Sequence, residues 1–284
     1  MTKQIVVTGA TGTIGRRVVE GLLAKQVPVV ALVRDAAKAP QGTRAAVGTF
    51  EDRGSLERAF AGADTVVLIT AANANAAEQT LAAIDAAKAA NVRKIVRISA
   101  LKAAPDGPTD NTRQHGRTEA ALKASGLTYV ILRPHYFLQN LLGSIPTIKG
   151  EGKLYWGVGD GKMGMVDTRD VADAAVVAAL TDKFDGGTYE LTGPASIDYN
   201  AVAAAVGRGL GRDVTYVPVP PEAAGEALRG YGADDWTVRL IRDYCTAYSK
   251  GFGDFTTGDV ERITGRAPRS VDDFVREVLA PAVR

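Results

Sequence analysis

What the chain lacks sets its first limits. Of 284 residues one is cysteine, Cys245, and two are histidine. A single thiol excludes an intramolecular disulfide, and with only two imidazoles beside it a structural zinc site is not expected. No apolar run approaches the ~20 residues that cross a bilayer, so a membrane is not expected as a partner. Basic blocks are missing too. The 34 Lys and Arg against 32 Asp and Glu leave a net charge of +2, which gives no electrostatic case for nucleic acid. The first strand begins at about residue 4, so no N-terminal signal fits and the cytoplasm is the expected location. What remains, 46% hydrophobic and 23% charged residues, is the balance of a globular protein with an ample core. Its length fits one large domain or two closely joined ones.

The chain is organised around its first strand and turn, Ile5-Val6-Val7-Thr8-Gly9-Ala10-Thr11-Gly12-Thr13-Ile14-Gly15. Three branched apolar residues form a short buried strand. Three glycines follow at the spacing G-x-x-G-x-x-G, and Val18, Val19, Leu22 and Leu23 then fall at helical spacing. In that setting a glycine motif predicts dinucleotide binding. The turn lets the backbone approach a pyrophosphate, and the helix start offers free N–H groups and the positive end of its dipole.

Further strands are expected at 27–33, 45–48, 65–70, 94–99, 128–133 and 188–191, with helices near 55–60, 75–90, 113–125 and 167–180. Alternating strands and helices argue for a parallel sheet with right-handed crossovers. The rhythm breaks after Arg133. Residues 150–164 hold six glycines around Leu154-Tyr155-Trp156 and are expected to be a loop, as a pocket wall or as hairpin turns. The predicted fold class is α/β, a Rossmann-type doubly wound parallel sheet with a smaller, mainly helical C-terminal substrate domain. Residues 1–133 form the nucleotide domain, 165–191 pack back onto it, and 134–284 make the substrate side.

Several motifs together resemble the NmrA-like atypical short-chain dehydrogenases/reductases. They are Thr8 to Gly15, Val33-Arg34, Leu132-Arg133-Pro134 with Phe137 and Asn140, and Asp167-Thr168-Arg169-Asp170-Val171-Ala172. His115-Gly116-Arg117-Thr118-Glu119 is similar to a segment of the NAD(P)H:quinone oxidoreductase and triphenylmethane-dye reductase branch. The resemblance continues through Leu191-Thr192-Gly193-Pro194 to Thr264-Gly265-Arg266-Ala267-Pro268-Arg269. It implies an extended Rossmann domain with cofactor and substrate in the cleft beside a smaller domain. The family includes reductases of quinones, azo and triphenylmethane dyes, and regulators that bind NAD(P) without turning it over.

By that resemblance Gly9, Thr11, Gly12, Thr13, Ile14 and Gly15 hold the pyrophosphate, and Arg34 stands where the family binds a ribose 2′-phosphate. A guanidinium matches a phosphate with two N–H bonds. Lys38 adds charge, and Arg16 is near. Asp35 argues for NAD, because an acid closing the second strand takes the 2′-OH; NADP(H) is favoured over NAD(H). Thr49 and Phe50 are expected against adenine, although the family's usual carboxylate is Thr49 here. Thr70, Ala71 and Ala72 are expected under the riboses, Ser99 at the end of the fifth strand, and Pro134 and Phe137 on the nicotinamide side.

Most short-chain dehydrogenases carry Tyr-x-x-x-Lys, whose phenol moves the proton. Here Asn111 and His115 take those two positions. Ordinary carbonyl–alcohol interconversion is therefore not expected. Conjugated acceptors need mainly proximity to the nicotinamide, since they spread or cancel the incoming charge. His115 has three readings: proton donor, hydrogen-bond donor to the acceptor, or holder of the cofactor ribose. Glu119, one turn on, either orients it or faces solvent. Tyr136 is the second proton-donor candidate. Tyr136, Phe137, Leu141, Tyr155 and Trp156 are expected to wall an apolar acceptor pocket, with Trp236 and Tyr244 as weaker candidates. The expected function is NADPH-dependent hydride transfer to a small conjugated aromatic compound such as a quinone, azo or triarylmethane acceptor. The alternatives are a non-catalytic NAD(P)-sensing regulator and a tailoring oxidoreductase or oxygenase of aromatic natural products. Nothing in the sequence fixes an oligomeric state.

Overall fold

A computed structural model describes residues 3–283. Seven strands form one wholly parallel sheet: β1 (Ile5–Val7), β2 (Val29–Val33), β3 (Arg44–Val47), β4 (Thr65–Leu68), β5 (Lys94–Ile98), β6 (Thr128–Pro134) and β8 (Thr188–Leu191). Their spatial order is β3-β2-β1-β4-β5-β6-β8. Val6 pairs with Val30 on one side and with Val66 on the other, so β1 is central. The order reverses between β1 and β4, and ligands of open α/β sheets bind outside the strand ends at such a switch point.

Both faces of the sheet are buried, which is why its strands are apolar runs rather than alternations. Ile5, Val7, Val96 and Val130 point to a core shared with α1 (Thr13–Ala24) and α6 (Thr168–Leu180). Val6, Val30, Val66 and Ile95 point to the opposite core, under α2 (Arg53–Phe60), α3 (Ala76–Ala89) and part of α4 (Asp110–Ala124). Ala83, Ala86 and Ala87 on α3 are buried there, and their small side chains let the helix lie close. The helix α4 starts three residues before the sequence expectation. Thr109 and Thr112 form a reciprocal capping box, each hydroxyl accepting from the other's N–H.

After β6 the chain leaves the sheet through the turn Leu138–Ser144 and α5 (Ile145–Glu151), returns as α6 and β8, and leaves again. The expected loop around Leu154-Tyr155-Trp156 is corrected here. Lys153–Trp156 is a strand, β7, paired in parallel with β9 (Thr215–Pro218). Glycines on both sides mask it in the sequence, and its partner lies far along the chain. Leu154 is buried in a second core with Ile148, Met163, Tyr199, Val202 and Tyr216. That core is closed by α7 (Tyr199–Leu210), α8 (Pro221–Arg229), α9 (Asp235–Ser249) and a helical C-terminal segment. Among the described residues no helix is long and apolar enough to cross a membrane.

Candidate functional site

A groove of about 700 Å³ runs across the switch point. Gly9, Thr11, Gly12, Thr13, Ile14 and Gly15 form its floor. Gly9 holds φ at +58°, and a β-carbon on Gly15 would lie 2.1 Å from the Gly9 carbonyl oxygen. Only glycine fits either position. Gly12 begins α1 with no side-chain cap and no acid in the first turn, so the free N–H groups face the groove unopposed. The Thr8 hydroxyl donates to the Ile69 carbonyl and accepts from the Ile69 N–H, both at 2.8 Å, which fixes the ends of β1 and β4 together. A bare helix start behind two obligatory glycines fits a dinucleotide pyrophosphate.

At one end of the groove lie Arg34, Thr49, Phe50 and Glu51. Asp35 is not part of the lining, and one of its carboxylate oxygens accepts from the Ala37 N–H and caps the short turn Ala36–Lys38. Lys38 stands on that turn, outside the groove lining. Thr49 is fastened through Ser55, whose hydroxyl meets both the Thr49 N–H and its carbonyl at 3.2 Å. Sequence reasoning missed Glu51, which receives a 2.8 Å bond from Gln79, another lining residue. That amide, and more weakly the charge of Arg34, hold the Glu51 carboxyl below its usual range.

At the other end are Phe137, Gln139, Asn140, Leu142 and Thr168; Ala71 and Asn73 line the groove between, Asn73 donating to Gln79 at 3.0 Å. Gln139 donates to Asp167 at 2.8 Å and accepts from the Thr168 N–H at 2.9 Å, locking the turn after β6 onto the start of α6. Apart from Ala71 and Phe137, these residues were not foreseen as site residues. Their contributions depend on loops meeting in space, although Asn140 and Thr168 lie within the family motifs.

Five expected cofactor contacts do not line the groove: Lys38, Thr70, Ala72, Ser99 and Pro134. Pro134 is paired with Leu191 in the sheet, and Ala72 is exposed. Thr70 and Ser99 turn inward, into a buried polar layer behind the groove wall. There Thr70 bonds Thr80 at 3.0 Å, and Arg97 reaches Thr70, Thr80 and the His115 Nδ1. The Ser99 hydroxyl lies 3.3 Å from His115 Nδ1 and donates to Glu119 at 2.5 Å. Glu119 meets neither solvent nor His115. It is buried and takes two bonds from Arg133, at 2.9 and 2.6 Å. Burial first, then the charges of Arg97 and Arg133, hold His115 well below its ordinary 6.5.

The expected acceptor wall is dispersed. Phe137 alone of its five members lines the groove. Leu141 is core, and Tyr155 bonds Glu151 at 2.7 Å on the surface of β7. Tyr136 packs among Trp156 and Tyr248, its hydroxyl 3.4 Å from that of Tyr199. Burial pushes the Tyr136 phenol up, away from proton transfer at neutral pH. Trp236 and Tyr244 fasten α9 to the start of α4: the Trp236 indole donates to Asp110 at 2.6 Å, and Asn111 donates to the Tyr244 hydroxyl at 2.9 Å.

Residues 9–183 match a family model described as NAD(P)H-binding. The chain is 33% identical to the NAD(P)H azoreductase of Xenophilus azovorans over 279 residues, 96% of each protein. It superposes with TM-score 0.88 on the NADPH-dependent quinone oxidoreductase of Escherichia coli solved with NADPH, at 30% identity, covering 97% of this chain and 99% of that one. The triphenylmethane reductase of a Citrobacter species superposes with TM-score 0.87 at 25% identity, covering 97% and 99%.

Proposed function

This chain belongs to the NAD(P)H-binding family, in its NmrA-like branch of atypical short-chain dehydrogenases/reductases, and we propose that it passes hydride from NADPH to a conjugated aromatic acceptor such as a quinone, an azo compound or a triarylmethane dye. The observation that carries this reading is a mismatch. The pyrophosphate cradle is complete, while the places of the usual tyrosine and lysine hold Asn111, tied to Tyr244, and a buried His115. A site without that acid–base pair suits an acceptor that takes hydride readily. When bound, the reduced nicotinamide supplies the hydride.

The chain's own residues do the rest. Gly9 to Gly15 and the start of α1 hold the pyrophosphate. Arg34, on the groove lining, selects the 2′-phosphate and so NADPH over NADH. Phe50 covers adenine, with Glu51 and Gln79 beside it. Phe137, Asn140 and Leu142 wall the nicotinamide end; His115 is not part of the groove lining but stands in the buried layer behind it, and its proposed role is to hydrogen-bond the acceptor from there. The proposed setting is the cytoplasm, with a small aromatic molecule as partner. The test follows NADPH absorbance with purified protein and a panel of quinones, azo dyes and triarylmethane dyes. Oxidation with at least one class is expected; tight NADPH binding with no oxidation across the panel would overturn the reductase reading in favour of a sensor.

A further inference from the structure

Arg97 is the group that the cofactor groove leaves unexplained. It stands on β5 inside a parallel sheet, 2% exposed, and its Nε meets no acceptor among the described residues. Burial lowers its pKa to about 10, so the guanidinium is still charged at neutral pH. Its two terminal nitrogens are engaged. Nη1 donates to the Leu68 carbonyl at 3.2 Å and to Thr70 at 3.3 Å. Nη2 donates to Thr80 at 3.2 Å and to His115 Nδ1 at 3.3 Å. Arg97 therefore joins the end of β4, next to the groove, to the histidine of α4.

A guanidinium has no acceptor, so the His115 Nδ1 it touches must present a lone pair. Ser99 lies equally near that nitrogen, but its single hydrogen goes to Glu119. A proton on Nδ1 would face the Arg97 N–H; it belongs on Nε2. That Nε2 has no protein partner among the described residues, and it is not one of the sealed side-chain atoms left unpaired. The charged groups around the ring are Arg97 from β5, Arg133 from β6 and Glu119 from α4 itself, and the two cations both oppose protonation.

We propose that Arg97 is a positioning residue that locks His115 as the neutral Nε2–H tautomer, making it a fixed hydrogen-bond donor to the acceptor's carbonyl oxygen or azo nitrogen. This rests on the reading of His115 in the acceptor site given above. The acceptor gains a hydride from the dinucleotide, which is oxidised, and one proton from water, while His115 keeps its own. The other histidine supplies an internal standard. His135 Nδ1 accepts from the Tyr136 N–H at 2.7 Å, so its Nε2 donates to the Gly253 carbonyl at 2.9 Å.

With two imidazoles in the chain, nitrogen NMR of labelled protein can read both rings, and His135→Gln assigns them. In the wild type each ring is expected to show a bare Nδ1 and a protonated Nε2, with His115 still neutral where a free imidazole would already be charged. A proton on His115 Nδ1, or titration near 6.5, would overturn the lock. In Arg97→Met the His115 titration is expected to move up toward its ordinary value and its single tautomer to be lost. An unchanged ring in that variant would remove Arg97 from the role. Should the variant not fold, the wild-type spectrum decides alone. These readouts need neither cofactor nor turnover, so they are separable from the reductase reading. Given turnover, kcat at saturating acceptor is expected to stay flat from about pH 6 to 8. A single-ionisation slope there would overturn the solvent-proton step. Absence of turnover with every acceptor would overturn the donor role and leave the tautomer result standing.

Discussion

At the scale of single residues, cofactor choice turns on two neighbours at the end of β2. Arg34 lines the groove, whereas Asp35 spends its carboxylate on the Ala37 N–H. One oxygen of Asp35 is committed to that turn, and the side chain stands outside the groove lining, whereas Arg34 is part of it. On the proposed reading of Arg34, Arg34→Ala removes a two-pronged, charge-assisted contact to the 2′-phosphate. The expected result is a loss of about tenfold to a hundredfold in NADPH affinity, with NADH affinity changed less than about threefold, corresponding to a charged hydrogen-bond contribution of roughly 1.5–3 kcal/mol. Titration of protein fluorescence with each dinucleotide measures it. Equal losses for both would mean that Arg34 shapes the groove without reading the phosphate.

At the scale of elements, α4 is the one that carries His115, the residue proposed to meet the acceptor. Its first turn is held from two directions: by the Thr109–Thr112 capping box, and by α9 through Trp236 on Asp110 and Tyr244 on Asn111. Gln114 adds a third tie. It accepts from the Ala77 N–H and donates to the Asn73 carbonyl, so the helix is fastened to the loop that edges the groove. His115 follows directly. Thr109→Ala removes a buried cap, which costs about 1 kcal/mol and lowers Tm by roughly 2–4 °C in a chain of this size. Faster amide exchange confined to the start of α4 is expected with it. An unchanged exchange pattern would show that α9 alone holds the turn.

Elements also show where sequence reasoning succeeds and where it stops. The parallel strands are legible because burial on both faces leaves continuous runs such as Val29 to Val33, and the cradle because Gly9 and Gly15 are demanded by local backbone geometry. Strand β7 is not legible. Its four residues gain their identity only from β9, met much later in the chain. The same holds for the groove's polar rim. Glu51, Gln79 and Gln139 become site residues only when separate loops converge, and no local period marks them. Thr70 and Ser99 were placed on the right strand ends but face inward, because the buried Arg97 and Glu119 supply partners that a strand pattern does not announce.

At the scale of the whole molecule, burying both histidines as neutral rings couples stability to pH. Burial is the main cause in each case. It carries His135 down to about 4, with the charge of Lys102 acting in the same direction and the bond to Gly253 opposing, and it holds His115 well below 6.5. Once unfolded, both rings take up protons near pH 6.5, whereas the folded chain refuses them. Folded-state stability is therefore fully present above about pH 6.5 and falls as pH drops below it. For His135 alone the loss by pH 5 is on the order of 2 kcal/mol. Glu190 and Asp170, whose carboxyls burial pushes up, work in the opposite direction and soften the decline. Urea unfolding at pH 7.5 and pH 5.0 is expected to show a lower midpoint at the acid end. His135→Gln keeps a donor for Gly253 but has nothing to titrate, so it should reduce that difference. A midpoint difference that His135→Gln leaves unchanged would mean that the His135 ring accepts a proton in the folded state.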